Sequence, residues 1–188
     1  MENLIGDISL AMIAFVLTNI DDLLILSFYF ANKSSNGESI VIGQYVGVFS
    51  LVLISLSGFV IGKFVDPQWL RFLGFIPMAL GIKQLIGLFR RQDDDSEIKS
   101  SQSFWSVALV TIANGGDNIG VYTPLFAKLN LQQLIVYLLV FAIMIAIWCV
   151  FAFYLVKHPV LKKTFTKYGH IALPVFLILL GLWIFLDF

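Results

Sequence analysis

The chain has 188 residues, of which 59% are hydrophobic and 13% are charged, and its mean hydropathy is +0.91. Soluble domains carry about 45–50% apolar and about 25% charged residues, so this composition is that of an all-α integral membrane protein embedded in a lipid bilayer. The formal net charge of zero argues against a nucleic-acid partner, and the single cysteine, Cys149, excludes an internal disulfide.

Six apolar segments are predicted to cross the membrane, because each is long enough to span about 30 Å of hydrocarbon as a helix. The second and fifth contain long stretches without any charge, whereas the first, third and fourth carry charged residues. The amino end lacks the basic region and cleavage site of a signal peptide, so we expect the first segment to be retained. The segments are residues 7–30, 38–62, 69–89, 103–126, 132–156 and 169–187.

One long polar connection, residues 90–102, separates a first half, 1–89, from a second half, 103–188, each with three predicted spans. Its charges and serines are typical of a solvated linker. Basic residues are concentrated on the side of the membrane that carries this linker, which places the linker in the cytoplasm and both termini outside it. They are Lys33, Arg90, Arg91, Lys99, Lys157, Lys162, Lys163 and Lys167, against Lys63, Arg71 and Lys128 on the opposite side.

The two halves share short patterns at similar offsets. Residues 19–22 read Asn-Ile-Asp-Asp and residues 114–117 read Asn-Gly-Gly-Asp, an offset of 95, while a Leu-Gly step at Gly81 recurs 100 residues later at Gly181. Because each half has an odd number of spans, the second half would enter the membrane from the opposite side. The sequence therefore predicts two inverted three-helix repeats, the arrangement of many secondary transporters, whose substrates bind near the midplane.

Three aspartates, Asp21, Asp22 and Asp117, lie well inside predicted spans. An aspartate at the centre of a membrane helix costs roughly 2.5–3.5 kcal/mol on insertion scales, so each needs a compensating partner. No lysine or arginine lies at a matching depth; Lys83 comes closest and is able to extend to the surface. A bound cation or a proton is therefore the expected partner.

The spacing around these acids adds oxygen ligands on the same helix faces, because residues three or four apart are neighbours on a helix. Thr18 and Asn19 lie with the first two aspartates, and Asn114 and Asn118 lie with the third. Such a pocket suits a divalent metal ion. The glycines and proline around Asp117 weaken that helix, so free carbonyl groups at a break could add ligands.

Alternatives remain open for several of these residues. One alternative is that the acids bind no ion and serve only to hold neighbouring helices together through hydrogen bonds. For Asn19 and Asn114, this structural role and metal binding are about equally well supported. Cys149 would be a soft metal ligand, but a lone cysteine in an apolar span is more often a small buried hydrophobe. Gln44 is expected at most to line a cytoplasmic mouth. A chain this small with glycine-bearing faces could also form a homodimer.

The stretches TNIDDLLIL (18–26), GQYVG (43–47) and TIANGGDNIGVYTPLFA (111–127) resemble the cadmium-resistance transporters of bacteria, a branch of the lysine-exporter superfamily. The resemblance covers essentially the whole chain and implies a multi-pass plasma-membrane protein that exports Cd²⁺ as its substrate. It also implies that Asp21, Asp22 and Asp117 are the acidic site residues, with Asn19, Asn114 and Asn118 beside them. Oxygen ligands alone predict only a divalent cation, so Mn²⁺, Zn²⁺ or a small organic cation stay open as substrates.

No nucleotide-binding motif is present, so transport is expected to be secondary, without a cofactor. We expect Cd²⁺ to displace protons from the three aspartates, and reprotonation on the other side to release it. The rivals are a channel or uniporter, a non-transporting subunit of a larger complex, and an enzyme with an intramembrane acid pair. The enzyme is disfavoured, because adjacent helical residues point about 100° apart.

Overall fold

A computed structural model describes the backbone of residues 4–31, 36–89 and 103–187; the side chains of residues 67, 88–89, 159–170 and 187 are not among those described. The described chain is helical throughout and contains no strand. The predicted linker, residues 90–102, lies outside the described residues, as do four of the basic residues used for the topology, Lys33, Arg90, Arg91 and Lys99. The helices are α1 Leu4–Thr18, α2 Ile20–Ala31, α3 Gly37–Phe64, α4 Pro67–Leu70, α5 Phe75–Phe89, α6 Phe104–Asn114, α7 Gly116–Lys128, α8 Leu131–Leu155 and α9 Pro159–Asp187, with a 3₁₀ turn at Arg71–Gly74.

Three described helical stretches are long and apolar enough to cross a membrane: α3, Gln68–Gly87 and α8. The bent pair α1 and α2 meets the same test if it counts as one broken span, and α6 and Ile171–Leu186 are apolar but shorter. The helical membrane class expected from the composition is therefore confirmed.

Polar side chains cap the helices where the sequence changes from loop to apolar run. Asn36 accepts a hydrogen bond from the Glu38 amide (3.1 Å), and Ser103 accepts one from the Trp105 amide (3.3 Å). Asn130 and Gln133 form a reciprocal capping box at the start of α8. These bonds satisfy amide groups that have no partner within the helix, and so fix where the helices begin.

The first predicted span is not one continuous helix, which corrects the sequence expectation. The chain bends by 60° between α1 and α2. The Thr18 hydroxyl donates to the Ala14 carbonyl (2.9 Å), and the Asn19 amide group donates to the Phe15 carbonyl (2.8 Å). Side chains that bond to carbonyl groups four residues earlier compete with the helix ladder and bend it.

The weakness expected near Asp117 is confirmed as a second break, between α6 and α7 at Gly115. The Gly115 amide bonds to the Ile112 carbonyl at 3.2 Å, three residues back instead of four. A Cβ atom at this position would overlap the side chain of Leu51 from α3. Close approach of Leu51 therefore favours glycine at this position, and the motifs at residues 19–22 and 114–117 both coincide with helix breaks.

The helices pack in a reciprocal pattern. Helix α3 lies along α6 and α7, α8 lies along α1 and α2, and α5 packs on α9. Gly43 and Gly47 contact α6, while Gly58 and Gly62 contact the backbone of α7. These glycine faces are filled within the chain, because the absence of side chains lets the helix backbones approach closely. The expected homodimer through glycine-bearing faces is thus not supported.

Candidate functional site

The two helix breaks face each other inside the protein. Asn118, at the start of α7, donates from Nδ2 to Asn19 Oδ1 at 3.2 Å, and the hydroxyl groups of Tyr122 and Thr18 lie 2.9 Å apart. All four side chains are buried. The sequence motifs of the two halves therefore meet through direct hydrogen bonds, although they are almost a hundred residues apart in the chain.

Asn19 is the centre of this contact. Its Nδ2 donates to the Tyr122 hydroxyl at 3.0 Å, and its backbone carbonyl accepts from Trp148 Nε1 of α8 at 2.8 Å. Asn19 thus ties the first break to α7 and α8. Of its two predicted roles, interhelical hydrogen bonding is seen directly.

Asp22 belongs to a second polar network, formed by α2, α3 and α6. Its Oδ1 accepts from the Thr111 hydroxyl at 3.0 Å and its Oδ2 accepts from Gln44 Nε2, while the Thr111 hydroxyl also lies 2.9 Å from Gln44 Oε1. All three side chains are buried. A buried carboxylate held only by neutral hydrogen-bond partners keeps its charge uncompensated.

The helix breaks place all three aspartates in the first turns of α2 and α7. The positive end of a helix dipole stabilises a carboxylate there by about 0.3–1 kcal/mol, and by up to about 2 kcal/mol when partly buried. This offsets only part of the roughly 2.5–3.5 kcal/mol that an intramembrane aspartate costs. The helix dipole therefore compensates each carboxylate only in part.

Asp117 and Asp21 are half-buried, in contrast to Asp22. Asp117 Oδ1 accepts from the Asn118 backbone amide at 2.9 Å. Asn118 Oδ1 is buried and has no hydrogen-bond partner among the described residues. An amide oxygen without a donor therefore belongs to the residue that directly follows the Asp117 carboxylate.

Two predicted site residues lie apart from these networks. Asn114 is the last residue of α6, is exposed, and makes no side-chain hydrogen bond in the described part of the chain. Cys149 is a buried free thiol in α8 that lines an apolar groove of about 750 Å³ between α2, α3 and α8. Among the described residues, no three acidic, histidine or cysteine side chains are close enough together to hold a metal ion.

A family model described as a cadmium resistance transporter matches residues 15–188, nearly the whole chain. The chain belongs to the cadmium resistance transporter family. The family match includes both helix breaks and every aspartate of the candidate site. A search of curated proteins and a search of solved structures gave no significant match. Membership agrees with a multi-pass membrane transporter and with a non-enzymatic role.

Several members of these networks were not predicted from the sequence. Thr111 and Gln44 hold Asp22, and Tyr122 and Trp148 hold Asn19. A weak signal existed for two of them: Gln44 is the one amide in the charge-free stretch 40–62, and Thr111 lies one helical turn before Asn114. No signal for Tyr122 and Trp148 was present in the sequence, because tyrosine and tryptophan are common in membrane helices, where they lie at the membrane–water interface.

Proposed function

We propose that this protein exports Cd²⁺ from the bacterial cytoplasm across the plasma membrane by proton antiport, through a site at the two helix breaks. Membership of the cadmium resistance transporter family supports cadmium as the substrate. The observation that carries the proposal is the bond between Asn118 and Asn19, which joins the breaks beside three intramembrane carboxylates.

An inverted-repeat architecture with six spans, 1–89 and 103–188, is part of this proposal. In such a repeat, α1 and α2 correspond to α6 and α7, and α3 corresponds to α8. The packing of α3 on α6 and α7 then has its counterpart in the packing of α8 on α1 and α2. Where the 3₁₀ turn and α5 pack on α9, Gly74 approaches the Gly181 carbonyl and Gly81 approaches the Pro174 carbonyl. The two contacts correspond under an offset of 100 residues, because Gly74 then matches Pro174 and Gly181 matches Gly81. This reciprocity supports a pseudo-twofold axis in the membrane plane and alternating access.

The substrate site would draw on Asp21, Asp22 and Asp117, with the free amide oxygen of Asn118 as a further ligand. Because these three carboxylates are not close enough together to hold a metal ion in the present conformation, the two helix breaks would have to move towards each other when Cd²⁺ binds. Thr18, Asn19 and Asn114 remain candidate supporting ligands. Asp22 would exchange its bonds to Gln44 and Thr111 for the cation, since its two oxygens are already engaged. Binding of Cd²⁺ would thus replace carboxylate repulsion by attraction to one ion.

Such a donor set is composed of oxygen atoms. Oxygen ligands do not distinguish strongly between divalent ions, and only the Cys149 thiolate would favour a soft metal. Cys149 lines the apolar groove instead of joining the hydrogen-bonded networks. We therefore propose that Zn²⁺ and Mn²⁺ compete with Cd²⁺ for the same site.

Proton coupling follows from competition at the carboxylates. A carboxylate must lose its proton to bind a metal ion, so loading Cd²⁺ releases protons and reprotonation favours release of Cd²⁺. A proton gradient directed into the cell would then drive export without a nucleotide. The same carboxylates would bind Cd²⁺ and protons in turn, so that movement of one ion is coupled to movement of the other.

The test is reconstitution of the purified chain in liposomes that contain a pH-sensitive dye. We expect Cd²⁺ movement to be accompanied by proton movement in the opposite direction, and Asp22→Asn and Asp117→Asn to lose both. Glu38→Gln, which removes an exposed acid in the first turn of α3, serves as the matched control. Cd²⁺ flux without proton movement would refute antiport, single-channel currents would support a channel, and flux only with added proteins would support a subunit.

A further inference from the structure

A second cavity, lined by both polar and apolar side chains, lies at the end of the molecule where α1 begins and α7 ends. Its volume is about 500 Å³, and its lining comes from α1, α7, α8 and α9. The network around Thr18 lies about 16 Å from Asp7 along α1, since a helix rises 1.5 Å per residue. The cavity is therefore separate from the site at the helix breaks. Its lining includes Asp7, Leu10, Lys128, Gln133, Tyr137 and Trp183.

The polar groups of this cavity are held in place. Gln133 Nε2 donates to both carboxylate oxygens of Asp7, at 3.2 and 3.3 Å, while the same side chain completes the capping box of α8. Lys128 Nζ lies 4.0 Å from the centre of the Trp183 ring. The lining thus includes one carboxylate held by hydrogen bonds and one ammonium group that lies over an aromatic ring.

Aromatic side chains fill the space between this cavity and the helix breaks. Tyr137 lines the cavity and lies 6.2 Å from the Phe141 ring and 6.3 Å from the Phe126 ring. Tyr122 lies 4.7 Å from Phe141 and 6.0 Å from Phe126, and its hydroxyl bonds to Asn19. All four aromatic residues are fully buried. Among the described residues, these rings form a continuous chain of contacts from the cavity to the network around Asn19.

We propose that this cavity is the outer vestibule through which the transported divalent cation leaves, with Asp7 as its transient ligand and Tyr122, Phe126, Tyr137 and Phe141 as the closed gate. The identity of the cation rests on the proposed function. The sequence-based topology places this end of the molecule outside the cytoplasm. The observation independent of that topology is the aromatic layer, which touches the cavity on one side and the helix-break network on the other.

The composition of the cavity fits a release site better than a storage site. Conduction requires ligands strong enough to attract the ion and weak enough to let it go. Asp7 offers one carboxylate that already accepts two hydrogen bonds, and the nearby Lys128 ammonium repels a cation. A divalent ion that reached Asp7 would be held weakly and exchanged for water.

The position of the gate is tested by cysteine labelling from outside intact cells with a membrane-impermeant, positively charged thiol reagent. Leu10→Cys and Ala14→Cys are compared in a Cys149→Ser background, because these positions lie one turn apart on α1 and only Leu10 lines the cavity. We expect Leu10→Cys to react at least tenfold faster. Leu129→Cys, also in the cavity lining, provides a second probe if Leu10→Cys does not fold.

Equal reactivity of Leu10→Cys and Ala14→Cys would overturn the gate. Reaction of the cavity cysteines only after the reagent enters the cell would overturn the assignment of the cavity to the outer side. Labelling does not require transport, so these outcomes are independent of whether the protein exports Cd²⁺. A chain that shows the expected labelling but moves no Cd²⁺ would refute the proposed function and leave the gated cavity standing.

The role of Asp7 is tested with Asp7→Asn, whose side-chain oxygen still accepts a bond from Gln133 but carries no charge. We expect the maximal rate of Cd²⁺ export to fall at least threefold while the apparent affinity for cytoplasmic Cd²⁺ is unchanged, since only release is altered. Asp66→Asn, which removes an exposed acid between α3 and α4 outside the cavity, should change neither. A native maximal rate in Asp7→Asn would overturn its role.

Discussion

Asp22 shows at the residue scale how a carboxylate is accommodated inside an apolar protein. Thr111 and Gln44 reach it from two other helices, so its oxygens are satisfied by hydrogen bonds although both partners are neutral. The Thr111 hydroxyl carries one hydrogen and lies close to two acceptors, Asp22 Oδ1 and Gln44 Oε1. The three side chains therefore form one hydrogen-bonded network, and removal of one of them weakens the interactions of the other two.

Removal of the Thr111 hydroxyl by Thr111→Val should lower the free energy of unfolding by about 1–3 kcal/mol, because it leaves a buried acceptor without a donor. Thr111→Ser keeps the hydroxyl and is the control. In an Asp22→Leu background, where the carboxylate acceptor is absent, the effect should be smaller. Thermal unfolding in detergent measures this, and an equal loss in both backgrounds would show that the two residues are not coupled.

Cys149 is expected to contribute little to metal binding, since it lies in the apolar groove and takes no part in the polar networks. Calorimetric titration of Cys149→Ala with Cd²⁺ should give a dissociation constant within about twofold of the native value, which is less than about 0.5 kcal/mol. A loss of tenfold or more would instead identify the thiolate as a ligand and explain selectivity for a soft ion.

At the scale of elements, the helix breaks turn two apolar segments into paired half-helices. Thr18 and Asn19 bend the first segment through their own side chains, whereas the second is interrupted at a glycine against which Leu51 packs. The chemistry of the two breaks differs, but both place acids at helix amino ends. A helix break that precedes acidic residues thus arises in each half from different local interactions.

The requirement for glycine at the second break is testable with Gly115→Ala. Its Cβ would overlap Leu51, and overpacking of this kind costs about 1–3 kcal/mol. We expect a lower unfolding temperature and weaker Cd²⁺ binding. Both effects of Gly115→Ala should be smaller in a Leu51→Ala background, because the truncated side chain leaves space for the added Cβ atom. Equal effects in the two backgrounds would show that close approach of Leu51 is not the reason for glycine at position 115.

The whole molecule is organised by the reciprocal packing of its halves. Glycine faces bring α3 onto α6 and α7, whereas large side chains, among them Tyr137, Phe141 and Trp148, bring α8 onto α1 and α2. The interface of α3 and the interface of α8 therefore occupy equivalent positions in the two halves, but the first is formed by glycines and the second by large side chains. The close glycine contacts disfavour movement of α3 relative to α7, so we expect α8 to move more against the first break during transport.

The predicted orientation also belongs to this scale. Epitope tags at both termini should be accessible to an impermeant probe in intact cells, and a tag within residues 90–102 should become accessible only after the membrane is permeabilised. The reason is the excess of basic residues on the side of the linker. If the linker tag were accessible in intact cells, the protein would have the opposite orientation to the predicted one, and the proposed direction of transport would be wrong.

The sequence by itself determined the membrane class, the approximate apolar segments and the three acids, because hydrophobicity and an aspartate in an apolar run are local properties. It also located the weak helix around Gly115. It did not determine the bend at Asn19, whose cause is a pair of side-chain bonds that compete with a helix the composition favours. Nor did it identify the partners of Asp22.

Only the tertiary structure decided which distant residues complete the site. Thr111 lies 89 residues from Asp22 and Trp148 lies 129 residues from Asn19 along the chain. The roles of Thr111 and Gln44 depend on how three helices are rotated about their axes, which helical periodicity within one segment does not fix. The same holds for the aromatic layer behind Tyr122, since it exists only where α7 and α8 pack together.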